Sequence, residues 1–278
     1  MKFVFVDVGE LGWSLMLSMH IRWLRKNTSH SLAVIALPDR KCLYRGLVDL
    51  LLDVPQDFCR TFDVTRQSCL GLHKVGSVRL TKYFTPHIPE GYVFPEGFAI
   101  GSVGGFEKWP RIVESYNYSK KLDGRKEILV FPRCRRWGEF ISRNFPKKFY
   151  INLIRELCVS FPACNVRTLG VKLGAYDIVE VKQSNYINGV KDKGDLQELI
   201  DRCQLAVAAI GAQSAPPKIS LLQGVPTFMM GHEEKRHKFS DNWLQTKAGF
   251  YYVHKKQYSQ INTVDCISKI IEFIRSCV

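Results

Sequence analysis

Short apolar runs and stretches of helical spacing take turns along this chain. The runs are Lys2–Val8 (KFVFVDV), His30–Leu37 (HSLAVIAL), Glu127–Phe131 (EILVF), Asn165–Leu169, Leu205–Ile210 (LAVAAI) and Val225–Met230 (VPTFMM). Each is too short for a buried helix and rich in residues that suit a strand covered on both faces, as in a parallel sheet. Between them the apolar positions repeat every three or four residues. Ser14–Lys26 sets Leu15, Met19 and Trp23 on one face, and Lys147–Ser160 does the same with Phe149, Leu153, Ile154 and Leu157. Asp195–Cys203 is expected to be a helix capped by Asp195, and Pro217–Gln223 and Thr263–Cys277 two more. Arg45–Leu52 and Ile112–Lys121 are also expected as helices, and Gly101–Gly105 as a loop, within a stretch from Asp57 to Trp109 that is otherwise irregular.

Alternation of strands and helices predicts an α/β fold with parallel sheets and helices on both faces. The series stops after residue 52 and restarts after Asp123-Gly124. Two Rossmann-like domains follow, divided near Lys121–Arg125, with bounds 1–121 and 122–278.

Composition narrows the class. With 278 residues and 46% hydrophobic content the chain can fill two cores. No apolar run approaches the roughly 20 residues that span a bilayer, so no membrane insertion is expected. The first nine residues contain Asp7 and end without a small-residue cleavage site, unlike a signal peptide. The nine cysteines have no C-x-x-C spacing and no histidine at zinc-finger distance, so thiols in a reducing, cytoplasmic setting are expected, with no metal. A net charge of +14 asks for a polyanionic partner: a nucleotide diphosphate, a nucleic acid or an anionic surface.

Candidate chemistry gathers where strands end. After the strand Leu205–Ile210 come Gly211, Gln213 and Ser214, then Pro216-Pro217 and Lys218 at the start of a helix. A helix N-terminus with a hydroxyl and a cation beside it is an anion site. After Glu127–Phe131 come Arg133, Arg135 and Arg136, a set able to clamp a diphosphate, while Arg143 and Lys148 read as solvated helix-start charges. Lys172 follows the strand ending at Leu169 and is a further phosphate candidate, with Tyr176 and Tyr186 as candidates to pack on a base. His232 and Glu233 follow Val225–Met230; His237 stands five residues after His232, off its face, so this is not a zinc helix. After the first strand, Gly9-Glu10-Leu11-Gly12-Trp13 forms a tight loop. Glu10 there is either a general base or a cap for the next helix, and Trp13 either stacks on a ligand ring or joins the core.

The strand, glycine, polar pair, helix and "GVPT" of residues 205–227 resemble the donor segment of GT-B glycosyltransferases, notably the heptosyltransferase-like ones. The resemblance implies two Rossmann-like domains facing across a cleft, the first binding acceptor and the second binding a nucleotide sugar. It implies donor contacts from Gly211, Gln213, Ser214 and Lys218, and the strand-end positions of Arg133, Arg135, Arg136, Lys172, His232 and Glu233 make these further donor candidates. It implies Glu10 as general base, with Glu in place of the usual Asp, and acceptor contacts from Gly9, Gly12 and Trp13. The expected reaction is inverting and metal-independent, with a nucleoside diphosphate sugar as co-substrate and no cofactor. The acceptor is a glycan, a lipid-linked sugar or, given the charge, a hydroxymethylated base in DNA. The alternative is a non-catalytic nucleic-acid-binding protein on a Rossmann scaffold.

Overall fold

The computed structural model of the chain describes residues 1–9, 11–62, 76–98, 100, 126–136, 143–232, 247–255 and 257–278. The chain forms two compact units, Met1–Glu114 and Ser115–Val278. The expected division near 121 lies outside the described residues.

In the first unit β1 (Lys2–Asp7) leads to α1 (Leu11–Asn27) and β2 (Ser31–Ala36), then a 3-10 turn at Pro38–Leu43, β3 (Leu50–Asp53), α2 (Phe58–Thr61) and α3 (Ser77–Phe84). The strands pair in parallel in the order β1-β2-β3, and a single bridge from Phe3 to Val93 extends the sheet beyond β1. The helix expected at 45–52 is replaced by a turn and β3. The sequence LLLD has no helical period of its own, and parallel pairing of Leu50–Asp53 with Ala33–Ala36 decides the outcome. The stretch after Asp57, read as irregular, contains α2 and α3, whose Phe58, Leu80 and Phe84 pack on Val4, Val6 and Ile35. The helix expected at 112–121 and the loop at 101–105 lie outside the described residues.

In the second unit β4 (Glu127–Phe131), α4 (Lys147–Ser160), β5 (Asn165–Val171), β6 (Tyr186–Lys191), α5 (Leu196–Leu205), β7 (Ala206–Ala212), α6 (Ala215–Leu222), β8 (Thr227–Gly231), β9 (Ala248–Tyr252) and α7 (Thr263–Arg275) follow in turn. The six strands form one parallel sheet in the order β6-β5-β4-β7-β8-β9. Alternate residues of β4 serve opposite faces: Ile128 and Val130 join the core beneath α4 and α7, and Leu129 and Phe131 the smaller core with Leu169, Cys203 and Val225. Asp195 caps α5 as expected, its carboxylate accepting from the Gln197 amide at 2.8 Å, a contact that stabilises a helix by about 1 kcal/mol.

Counted from β4 the strand order is 3-2-1-4-5-6, that of a dinucleotide-binding sheet. The order reverses between β4 and β7, so the connections leaving their C-terminal ends diverge and open a crevice there. At the other end of β4 the buried carboxylate of Glu127 is held by Arg167 (2.8 Å) and Arg202 (3.4 Å), which pins β4 to β5 and α5.

Candidate functional site

The C-terminal ends of β4, β7 and β8 lie side by side, and each delivers candidate residues to the switch point. Beyond β4 the chain does not wander. The Cys134 amide donates to Gly174 O (2.8 Å) and the Tyr176 amide to Pro132 O (2.8 Å). Asn144 closes the loop by accepting from the Arg135 amide (3.0 Å) and donating to the Arg135 carbonyl (2.7 Å). Arg133 and Arg135 are thereby half-buried and Arg136 exposed.

Burial, and then the neighbouring charge of Arg135, lower the pKa of Arg133; Arg143 acts in the same direction. Arg143, read from sequence as a solvated helix-start charge, is half-buried and acts electrostatically on Arg133. Guanidiniums crowded at one strand end repel one another, and an anion between them relieves that repulsion. Tyr150 from α4 stands beside this group, fully buried, its pKa driven up by desolvation against the opposing charge of Arg133. Tyr176 lies at the same edge. Its hydroxyl is bonded to Cys134, and burial raises its pKa to about 12.

Beyond β7, Gly211 belongs to the strand and Gln213 is 6% exposed. An added Cβ on Gly211 would stand under 3.0 Å from Pro217 Cγ and 3.1 Å from Phe131 Cβ, so the glycine lets α6 sit directly on the strand end. Ser214 is the N-cap residue of α6, in extended conformation, but its hydroxyl donates to Ala212 O (3.1 Å) rather than capping the helix. Pro216 and Pro217 have no N–H and so remove two of the amides that the start of α6 could offer. The helix start keeps its dipole but is poorer in donors than its sequence suggested, so more of the work of holding an anion passes to the arginines. Lys218 is half-buried in the first turn.

Beyond β8, His232 has its backbone amide bonded to Gln213 Oε1 (3.2 Å) and its ring Nδ1 2.8 Å from the Tyr258 hydroxyl. Gln213 is thus committed to the protein; its carbonyl fixes the exit of β8. Tyr258 is a residue that sequence reasoning missed, because it sits in a 3-10 turn after β9 with no period to mark it. Lys172 follows β5, one strand away from the switch point, and its ammonium pairs with Asp192 at 3.0 Å. Tyr186, half-buried at the start of β6, donates to Ile178 O (2.9 Å). Glu233 lies outside the described residues.

In the first unit Gly9 lies two residues past the end of β1, and Gly12 and Trp13 are in the first turn of α1; Glu10 and the Trp13 side chain lie outside what the structure describes. Asp7 is fully buried and accepts from Ser14 Oγ (2.8 Å) and Tyr44 Oη (2.6 Å), which ties β1 to α1 and to the turn after β2. Desolvation raises its pKa despite both hydrogen bonds. With both oxygens engaged inside the core, Asp7 is a structural acid.

No disulfide joins the described cysteines, and among the described residues no helix is long and apolar enough to cross a membrane. The second unit holds 26 of the 40 basic residues but only 15 of the 26 acidic ones, so most of the excess charge belongs to the unit with the arginine-lined switch point.

No protein-family model matches the chain, and no curated protein sequence does. Solved structures do resemble it. The E. coli heptosyltransferase WaaC, in its structure with ADP, superposes with a TM-score of 0.57 at 10% identity, over 98% of this chain and 100% of that one. The E. coli ADP-heptose lipopolysaccharide heptosyltransferase II gives 0.56 at 11% identity, over 99% of each chain. A family 9 glycosyltransferase from Veillonella parvula gives 0.56 at 12%, over 99% of this chain and 97% of that one. Agreement over whole chains at such low identity is agreement of fold, and the fold of this protein is the GT-B fold of those transferases.

Proposed function

We propose that the protein is a glycosyltransferase that moves a sugar from a nucleoside diphosphate sugar to an acceptor hydroxyl. The observation that carries this reading is the switch point of the six-stranded sheet. Arg133, Arg135 and Arg143 crowd beyond β4, the α6 start with Ser214 and Lys218 lies beyond β7, and His232 lies beyond β8. A diphosphate is the dianionic ligand that such a group of cations favours, and the GT-B neighbour WaaC was solved with ADP.

In this mechanism the arginines and the helix start bind the diphosphate and offset the charge that grows on it as the glycosidic bond breaks. They supply the compensation that a divalent metal supplies in other transferases, and the nucleotide sugar is a co-substrate rather than a resident cofactor. Glu10 accepts the proton of the acceptor hydroxyl as its oxygen attacks the anomeric carbon. Direct displacement inverts that centre. Gly9, Gly12 and Trp13 are proposed to contact the acceptor. The acceptor is a glycan, a lipid-linked sugar or a hydroxymethylated DNA base, the last because of the +14 charge.

Calorimetry with ADP, UDP, GDP and CDP tests the donor half. Binding of at least one, lost on Arg133→Met, supports the reading; binding of none refutes it. Transfer from matched nucleotide sugars to glycans and to hydroxymethylated duplex DNA then selects the acceptor. A chain that binds DNA and no nucleoside diphosphate is a non-catalytic nucleic-acid-binding protein.

A further inference from the structure

Tyr150 lies in the first turn of α4, the helix that receives the chain from the loop carrying Arg133, Arg135 and Arg136, and it has no exposed surface. Its ring is enclosed by other rings. The centroids of Phe149, Tyr176 and Phe145 stand 5.3, 6.0 and 6.4 Å away. Tyr176 is anchored on the same loop, its amide donating to Pro132 O at 2.8 Å, and Ala175 bridges to Arg133. The phenol is thus packed at the end of β4, against the arginine loop. Its hydroxyl has no hydrogen-bond partner.

A hydroxyl needs an acceptor for its hydrogen. The Arg133 amide acts on the phenol oxygen, but an amide N–H is a donor, and this one is already given to Phe131 O at 2.9 Å. The guanidiniums of the loop are of the same kind, with donors and no acceptor. A buried donor without an acceptor destabilises the free protein, and phenylalanine would fill the same space among the rings without that loss. The hydroxyl is of use in a state that supplies an acceptor. The crowded cations of the loop favour an anion at this strand end, and an anion brings acceptor oxygens with it.

We infer that Tyr150 is a further binding residue for the diphosphate, its hydroxyl donating to an anionic oxygen once the ligand engages the arginine loop. Because the residue is covered in the free chain, the contact forms as residues Arg133–Arg136 shift on binding. This inference rests on the nucleotide-sugar reading for the identity of the ligand, but not for the unspent hydroxyl.

Tyr150→Phe in the full chain tests it through two readouts that part company, as they would not for a merely structural hydroxyl. In thermal unfolding of the free protein Tm should hold or rise, by up to about 4 °C, because only an unpartnered donor is removed. Tyr186→Phe is the comparison: it removes a hydroxyl that donates to Ile178 O at 2.9 Å, and its Tm should fall. In calorimetry the affinity of Tyr150→Phe for pyrophosphate, and for the tightest binder among ADP, UDP, GDP and CDP, should drop about tenfold or more, as for loss of a hydrogen bond to a charged group. A lower Tm for Tyr150→Phe would show the hydroxyl already bonded in the free chain, and unchanged affinity would show that the ligand does not reach it; either result overturns the inference. Binding of pyrophosphate but of no nucleoside diphosphate removes the transferase reading, and the pyrophosphate titration then decides the contact alone. If the wild type binds neither, both fall.

Discussion

Replacing Gly211 with alanine tests whether α6 is held against the strand end as tightly as the candidate site requires. Gly211 is not among the glycines with positive φ, so an alanine there meets no backbone strain and any loss comes from contacts. The new Cβ would lie under 3.0 Å from Pro217 Cγ, an atom of a rigid ring in the first turn of α6. Carbon atoms rest about 3.5–4.0 Å apart, so α6 must retreat by roughly 1 Å or β7 must bend. Overpacking of this kind costs about 1–3 kcal/mol. The alanine recovers about 0.5–1 kcal/mol by restricting the unfolded chain, which leaves a net loss of about 1–2 kcal/mol. In a unit of this size each kcal/mol lowers Tm by about 2–4 °C, so a drop of roughly 2–8 °C is expected in a calorimetric scan. Nucleoside diphosphate affinity should fall as well, since the helix start moves with the ring. The control is the same change made in a Pro217→Ala background. With the ring gone the tightest contact of the added Cβ is removed, and the cost of Gly211→Ala should fall by about 1 kcal/mol or more. An unchanged Tm for the single variant, or an equal loss in both backgrounds, refutes the account of why residue 211 is glycine.

Glu127→Ala leaves Arg167 and Arg202 facing each other without their shared carboxylate, and urea denaturation should register a loss of about 3 kcal/mol; a loss below 1 kcal/mol would mean the pair is dispensable. Burial lowers the pKa of His20 from 6.5 to about 4, so the unfolded chain takes up the proton first as pH falls. Stability should therefore decline from pH 6.5 towards pH 4, by up to about 3 kcal/mol, and His20→Phe should flatten that slope in pH-dependent urea melts. Glu10→Gln should lower transfer about 10²- to 10⁴-fold while keeping nucleoside diphosphate affinity, and unchanged turnover would remove Glu10 as the base.

The sequence made the central strands plain because strands covered on both faces must be continuously apolar, as β1, β2, β4, β7 and β8 are. It hid the strands nearer the sheet edges for the converse reason. In β6 (YINGVK) and β9 (AGFYY) most residues are only partly buried, and their pattern carries little signal. The same holds for β3, where pairing with β2 overrode a segment read as helix. At the site, strand ends were legible and side-chain bonds were not. Gln213 sits where a ligand contact was expected, yet its carbonyl is engaged by the His232 amide, 19 residues away along the chain. Tyr258 gave no sign, because its value lies in a buried contact with His232 that no local pattern encodes.

Strand order explains which of the expected cations remain candidates. Arg133 and Lys172 read alike from sequence, each a basic residue just past an apolar run. In the sheet, β4 borders the reversal and β5 does not. The loop after β4 is drawn into a fixed shape by Gly174, Tyr176 and Asn144, and crowds guanidinium beside guanidinium, an arrangement whose repulsion an anion offsets. The residue after β5 instead pairs with Asp192 at the surface. The two prolines of α6 push in the same direction, since fewer helix amides leave more of the anion's charge to the arginines. Replacing Lys172 with methionine should therefore leave nucleoside diphosphate affinity within about twofold of the wild type, while Arg133→Met should lower it by tenfold or more, as expected when a charged hydrogen bond is lost. Equal effects of the two substitutions in a calorimetric titration would show that the switch point does not select the binding cations.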